Sequence, residues 1–196
     1  MEHKPCPTII PEHRLILLDI ADQSLRYRLK HAHALLVQPQ EYPLPLQELR
    51  ASFVTLHEQN QLRGCIGSLE PRWPLVKDVA QNACAAGFSD PRFPPLQAQE
   101  LRQLELHISV LSVPEPIPVT SEQSLLDQLR PNIDGLILKK GAKRGTFLPS
   151  VWESLPDPEA FLRKLKLKAG LPQDYWSPLL EVFRYTTESF SRSSVS

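Results

Sequence analysis

Cysteine is scarce in this chain of 196 residues: there are three, Cys6, Cys65 and Cys84. An odd number at wide spacing excludes a paired disulfide framework, and neither a CxxC zinc pattern nor a CxxxCxxC cluster pattern is present. Long hydrophobic runs are missing too. The opening MEHKPCPTII holds no apolar stretch of signal-peptide length, and no segment reaches the ~18 apolar residues of a membrane span. A cytoplasmic protein with reduced thiols is the expectation, with no membrane contact. Charge of one sign is also lacking, since 22 Lys and Arg balance 22 Asp and Glu. That balance argues against general nucleic-acid or membrane-surface binding. The GxGxxG and GxxxxGK[ST] phosphate-loop patterns are absent. So are HExxH and any carboxylate–histidine cluster, and His31 and His33, two apart, do not share a helix face. No metal and no cofactor are therefore expected.

Proline, by contrast, is abundant: 20 residues, about twice the usual ~5%. The prolines cluster at 39–45, 91–95 and 114–118, which reads as rigid connections between elements. The length suffices for one core or for two lobes. Residues 1–10 read as a flexible tail, 11–190 as one domain and 191–196 as a Ser-rich tail. From Pro11, Leu15, Leu18, Ala21, Leu25, Leu29, Ala32 and Leu36 recur at helical spacing, with Pro39 as the latest end. Segments 51–57 and 62–66 read as a hairpin around a polar turn. A helix is predicted over 74–86, with Cys84 near its apolar side. Strict alternation predicts a strand over 104–111. A short helix over 124–130 and a hairpin of 135–140 with 144–148 follow. Asp157 caps a helix that begins with Pro158 and stops before Gly170. Residues 181–190 read as a final strand. Helices and strands mix without a βαβ rhythm, so the class is α+β with mixed or antiparallel sheets.

The most informative stretch is Leu62-Arg63-Gly64-Cys65-Ile66-Gly67. Glycine permits close approach of a backbone or a ligand. In an extended segment Arg63 and Cys65 point one way and Leu62 and Ile66 the other. A thiol beside a guanidinium is a candidate reactive group.

This hexapeptide resembles the signature of the AMMECR family, whose prokaryotic members are the AmmeMemoRadiSam system protein A. Phe53-Val54-Thr55-Leu56, Asp90-Pro91-Arg92-Phe93-Pro94-Pro95-Leu96 and Gly145-Thr146-Phe147-Leu148-Pro149 agree with it in order and spacing. The resemblance runs from about residue 13 to about residue 190. It implies an α+β fold in two unequal lobes and an unsettled biochemical activity. It also implies association with Memo-type proteins, which resemble metal-dependent dioxygenases, and with a radical SAM protein.

Cys65 is the candidate catalytic residue; the bland alternative is a small apolar filler between glycines. Arg63 is a candidate anion contact, or half of an ion pair with Asp90 or Glu105. Gly64 and Gly67 are candidate ligand contacts that serve backbone geometry equally well. Asp90 and Arg92 either line a polar cleft with Arg63 or lock their own loop. His57 and His107 are the histidines expected nearest Cys65. His107 is a candidate ligand contact, although the family pattern does not demand histidine there, which weakens a Cys–His mechanism. Lys139, Lys140, Lys143 and Arg144, and then Arg163, Lys164, Lys166 and Lys168, read as solvated surface. Aromatic residues are not interleaved with them in sequence, as single-strand binding requires. Three functions remain open: an enzyme or accessory subunit with a cleft around Arg63 and Cys65, a non-catalytic binding module, and, least favoured, a nucleic-acid binder.

Overall fold

The computed structural model describes residues 8–193. It is α+β, with two four-stranded sheets whose strand pairings are antiparallel. Contacts divide it into two compact units. The first holds the chain up to Leu111 and from Glu188 onward, and the second holds Ser112–Thr187.

In the first unit α1 (Pro11–His31) and the short α2 (Leu44–Gln47) precede β1 (Ser52–Glu58), β2 (Gln61–Gly67), α3 (Leu75–Phe88) and β3 (Leu104–Leu111). The sheet order is β2–β1–β3–β8, where β8 is Thr187–Ser193. Val54 and Leu56 of β1, with Leu104, Leu106, Ile108 and Val110 of β3, form the buried side of a period-two pattern. That side packs under α1 and α3 through Leu17, Ala21, Leu25, Val76, Val79 and Ala83. The β1–β2 turn is two residues, Gln59 and Asn60, with φ of 51° and 62°. Both lie in the left-handed region that a tight hairpin turn requires.

The second unit begins with β4 (Glu115–Pro116) and α4 (Glu122–Leu126), followed by β5 (Gly135–Lys140) and β6 (Lys143–Phe147). Then come α5 (Pro158–Lys168) and β7 (Glu181–Tyr185), in a sheet ordered β4–β7–β5–β6. Asp157 caps α5 by accepting the Ala160 N–H, and Pro158 opens the helix. Its core gathers Leu136, Leu138, Val182, Phe161, Leu162, Leu165 and Trp152, with Trp152 stacked on Phe161 at 3.8 Å.

Several expectations are corrected. The first helix ends at His31, because Ala32 turns left-handed (φ 59°) and closes it. Its buried residues are Leu17, Leu18, Ile20, Ala21, Ser24 and Leu25, whereas Leu15 and Leu36 are exposed. The α4 helix starts earlier than expected, at a Ser121–Ser124 capping box. The expected final strand is two strands in two different sheets. The chain breaks at Thr186, whose N–H donates to Ser112 Oγ and whose carbonyl accepts the Ser112 N–H. Of the expected tails, residues 1–7, Cys6 among them, and 194–196 lie outside the described residues. Ile9 is buried and donates its N–H to Glu188 Oε2. Lys166 is not surface: it is fully buried, with its ammonium 2.8 Å from Glu122 Oε1.

Candidate functional site

β2 is an edge strand, and its irregularity decides what it presents. Glu58 pairs with Gln61 and His57 with Leu62, but Leu56 then pairs with Gly64. Arg63 is therefore an extra residue, a β-bulge. Continued without it, the register would set Gly64 opposite Thr55 and Cys65 opposite the buried Val54. With it, Cys65 stands opposite Thr55, on the outer face of the sheet. The bulge also overturns the simple alternation expected of the hexapeptide. Leu62 and Cys65, facing His57 and Thr55, share the outer face, while Ile66, facing Val54, lies inward.

Arg63 is 8% exposed. Its Nε donates to Glu100 Oε1 at 2.6 Å, and its Nη2 donates to Glu100 Oε2 at 3.2 Å and to the Pro94 carbonyl at 3.0 Å. The partner is thus Glu100, not Asp90 or Glu105, because the segment after α3 returns along the bulge. The guanidinium holds the Glu100 carboxyl below its usual range. Gly64 is pressed on α3: a Cβ there would lie 2.2 Å from the Ala86 carbonyl oxygen. At Gly67 a Cβ would meet the Phe53 ring and the Ser52 carbonyl, each at 2.4 Å.

Asp90 and Arg92 close the open edge of β2. Asp90 Oδ2 accepts the Cys65 N–H at 2.9 Å, and Arg92 Nη2 approaches the Cys65 carbonyl at 3.4 Å. The two side chains also bond each other, Nη2 to Oδ2 at 2.6 Å and Nε to Oδ1 at 2.9 Å. Together they stand where a neighbouring strand would supply an acceptor and a donor. The Arg92 hydrogen bond, then those from the backbone, hold the Asp90 carboxyl well below the usual carboxylate range against the opposing effect of burial. Asp90 is buried, and the Arg92 side chain is half exposed. Arg63, Asp90 and Arg92 accordingly do not line one polar cleft. Arg63 and Asp90 are turned inward and held by protein partners, with Arg63 Nη1 alone of the guanidinium nitrogens left without one among the described residues.

The Cys65 side chain is half-buried, and its Sγ accepts a hydrogen bond from Thr55 Oγ1 at 3.2 Å. Thr55 also pairs with His107 of β3, so Cys65, Thr55 and His107 form a row across three strands on the outer face. Thr55 separates the thiol from the imidazole. The His57 and His107 rings meet edge to face at 4.7 Å, and His107 Nε2 lies 3.1 Å from Glu105 Oε1. Burial, and then His107, lower the His57 pKa, with Glu105 opposing. Cys84 is half-buried, on the flank of the α3 apolar stripe. Burial raises its thiol pKa, and Arg28 opposes this. Among the described residues no group of three or more His, Cys, Asp or Glu is placed to hold a metal ion.

Two participants carry no signal of their role in the sequence. Glu100 lies 37 residues from Arg63, with no local signal linking them. Thr55 belongs to the Phe53-Val54-Thr55-Leu56 stretch, and its position opposite Cys65 depends on the bulge.

This is an α+β chain with a cysteine clamped on the edge strand of an antiparallel sheet. The chain belongs to the AMMECR1 family, whose model matches residues 18–190. A protein of Methanothermobacter thermautotrophicus is 37% identical over 180 residues, covering 89% of this chain and 91% of its own length. A Thermotoga maritima protein is 41% identical over 158 residues, covering 79% of this chain and 86% of its own length. The crystal structure of uncharacterized protein PH0010 from Pyrococcus horikoshii superposes with a TM-score of 0.80 at 34% identity, covering 91% of this chain and 90% of that one. No described helix is long and apolar enough to cross a membrane.

Proposed function

We propose that this AMMECR-family chain acts as an enzyme or accessory subunit with Memo-type and radical SAM partners in the cytoplasm, and that the sheet face around Cys65 carries the role. One observation supports the reading most. Arg63, Gly64 and Gly67 are taken up by packing, whereas the Cys65 side chain remains half-buried, with its sulfur accepting from the Thr55 hydroxyl and the Arg92 guanidinium reaching its carbonyl. The Asp90–Arg92 clamp fixes the backbone on both sides of that sulfur. A fixed, reachable thiol suits a nucleophile or a ligand contact. The half-exposed guanidinium beside it suits an anionic group on the substrate or partner.

Timed alkylation of the native protein tests this. Cys65 should label before Cys84, and the reverse order would sink it. Co-purification with the Memo-type and radical SAM proteins should weaken in Cys65→Ser and Arg92→Ala. Retention at wild-type level in both would remove the face from the partnership.

A non-catalytic binding module is the second reading, favoured by the Thr55 side chain that stands between Cys65 and His107. Mass spectrometry of the co-purified chain separates the two, because only the first expects a covalent adduct on Cys65. Nucleic-acid binding ranks last. Lys166 is buried against Glu122, and Lys143 donates to the Gly170 carbonyl.

A further inference from the structure

Beneath the sheet lies a carboxylate that the hexapeptide reading does not use. Asp78 of α3 is 3% exposed. Its Oδ2 accepts three hydrogen bonds, from the Ser52 N–H at 2.9 Å, the Ser52 hydroxyl at 2.6 Å and Asn82 Nδ2 at 2.9 Å. Asn82 Nδ2 also reaches the Ser52 carbonyl and hydroxyl, each at 3.1 Å. The same Ser52 carbonyl accepts the Ser68 N–H, the first amide beyond Gly67. One buried node therefore joins α3, the start of β1 and the end of the strand that bears the hexapeptide.

The node contains no cation. On α3 itself Lys77 is turned to the Trp73 ring at 3.7 Å, and Cys84 lies further along. Before β1, Arg50 points Nη2 at the Leu111 carbonyl, 3.5 Å away. On α1, which packs on α3, Arg26 pairs with Asp22, and Arg28 acts on Cys84. On β2, Arg63 is held by Glu100. The short α2 carries no charged residue. None of these forms an ion pair with Asp78 among the described residues. A buried carboxylate without a counter-charge is pushed toward its neutral form, whereas hydrogen bonds donated to its oxygens favour the charged form.

We propose that Asp78, Ser52 and Asn82 form a proton-sensitive latch between α3 and the β1–β2 hairpin, whose contribution to the fold is greatest when Asp78 holds a proton and no uncompensated charge lies buried there. The proton goes to Oδ1, and Oδ2 keeps its three donors. Burial pushes the Asp78 pKa up to about 6 from an ordinary 3.8, the bonds from Ser52 and Asn82 opposing. A group whose folded pKa is raised binds protons better in the folded chain. The stability that the joint contributes is therefore fully present below about pH 4 and is lost as pH rises through about 6. The shift corresponds to a preference for the proton in the folded chain of about a hundredfold. The latch stands whether or not Cys65 is reactive.

Two measurements on the intact chain test it. In wild-type protein the Ser52 amide and Asp78 carboxyl NMR signals should titrate together with a midpoint near 6. Signals that do not move between pH 5 and 7.5 would overturn the latch, and this arm needs no variant. Asp78→Asn supplies a permanently neutral acceptor, so its melting temperature should fall less than that of wild type between pH 5 and 7.5. Parallel curves for the two proteins would equally overturn it.

Discussion

Replacing Gly64 by alanine puts one methyl group between two backbones. The added Cβ would stand 2.2 Å from the Ala86 carbonyl oxygen and 3.1 Å from its carbon, where real Cβ atoms essentially never come within 3.0 Å. The three nearest atoms all belong to the Ala86 backbone of α3, so no side-chain rotation relieves the contact. Relief requires α3 to retreat from β2 by the better part of an ångström, which opens the packing of Val79, Ala83 and Ala86 on the sheet. Overpacking costs about 1–3 kcal/mol, occasionally more, and a contact between two backbones belongs at the upper end. About 3 kcal/mol is the expectation, a large share of a net stability of about 5–15 kcal/mol. For a chain of this length that lowers the melting temperature by about 6–12 °C. The control is Gly141→Ala, where φ is +58° and nothing lies within 4 Å. It isolates backbone strain, at about 1–2 kcal/mol. Calorimetry and urea denaturation would measure both variants. A Gly64→Ala protein that melts within 2 °C of wild type, to within about 1 kcal/mol in urea, would refute the packing account of this glycine.

Three further outcomes follow from the same geometry. Arg63→Ala strips the partner from Glu100, whose side chain is only 18% exposed, and should cost about 3 kcal/mol, the lower end for a broken buried pair. Arg63→Lys should not restore it, because an ammonium cannot reproduce the fork onto both Glu100 oxygens and the Pro94 carbonyl; a lysine variant with wild-type unfolding would contradict this. Asp90 has a depressed folded pKa, so its contribution is fully present above its ordinary 3.8 and is lost as pH falls below that value. Asp90→Asn should accordingly show a shallower decline in melting temperature than wild type below pH 4, and identical acid limbs would argue against the clamp. Cys65→Ala removes a half-exposed acceptor and should cost about 1 kcal/mol or less, as chemical denaturation would report; a loss as large as that of Arg63→Ala would make the thiol a packing element.

Local patterns in the sequence carry the α+β class, the family and most of the elements. Alternation in 104–111, the Asp157-Pro158 cap and the polar turn between 51–57 and 62–66 are local signals, and local signals survive folding. The sequence also marks the hexapeptide and the Asp90-Pro91-Arg92 turn, whose side chains do bond each other. What those residues touch is set by long-range packing. A single bulged residue, Arg63, shifts the hairpin register by one and moves Cys65 from the buried face to the outer one. Residue spacing cannot show this, because one extra residue reverses every side chain after it. Arg63 finds Glu100 across 37 residues, Lys166 disappears beneath Glu122, and 181–190 divides between two sheets. Each outcome depends on which distant segment returns alongside, and that is fixed by packing of the whole chain.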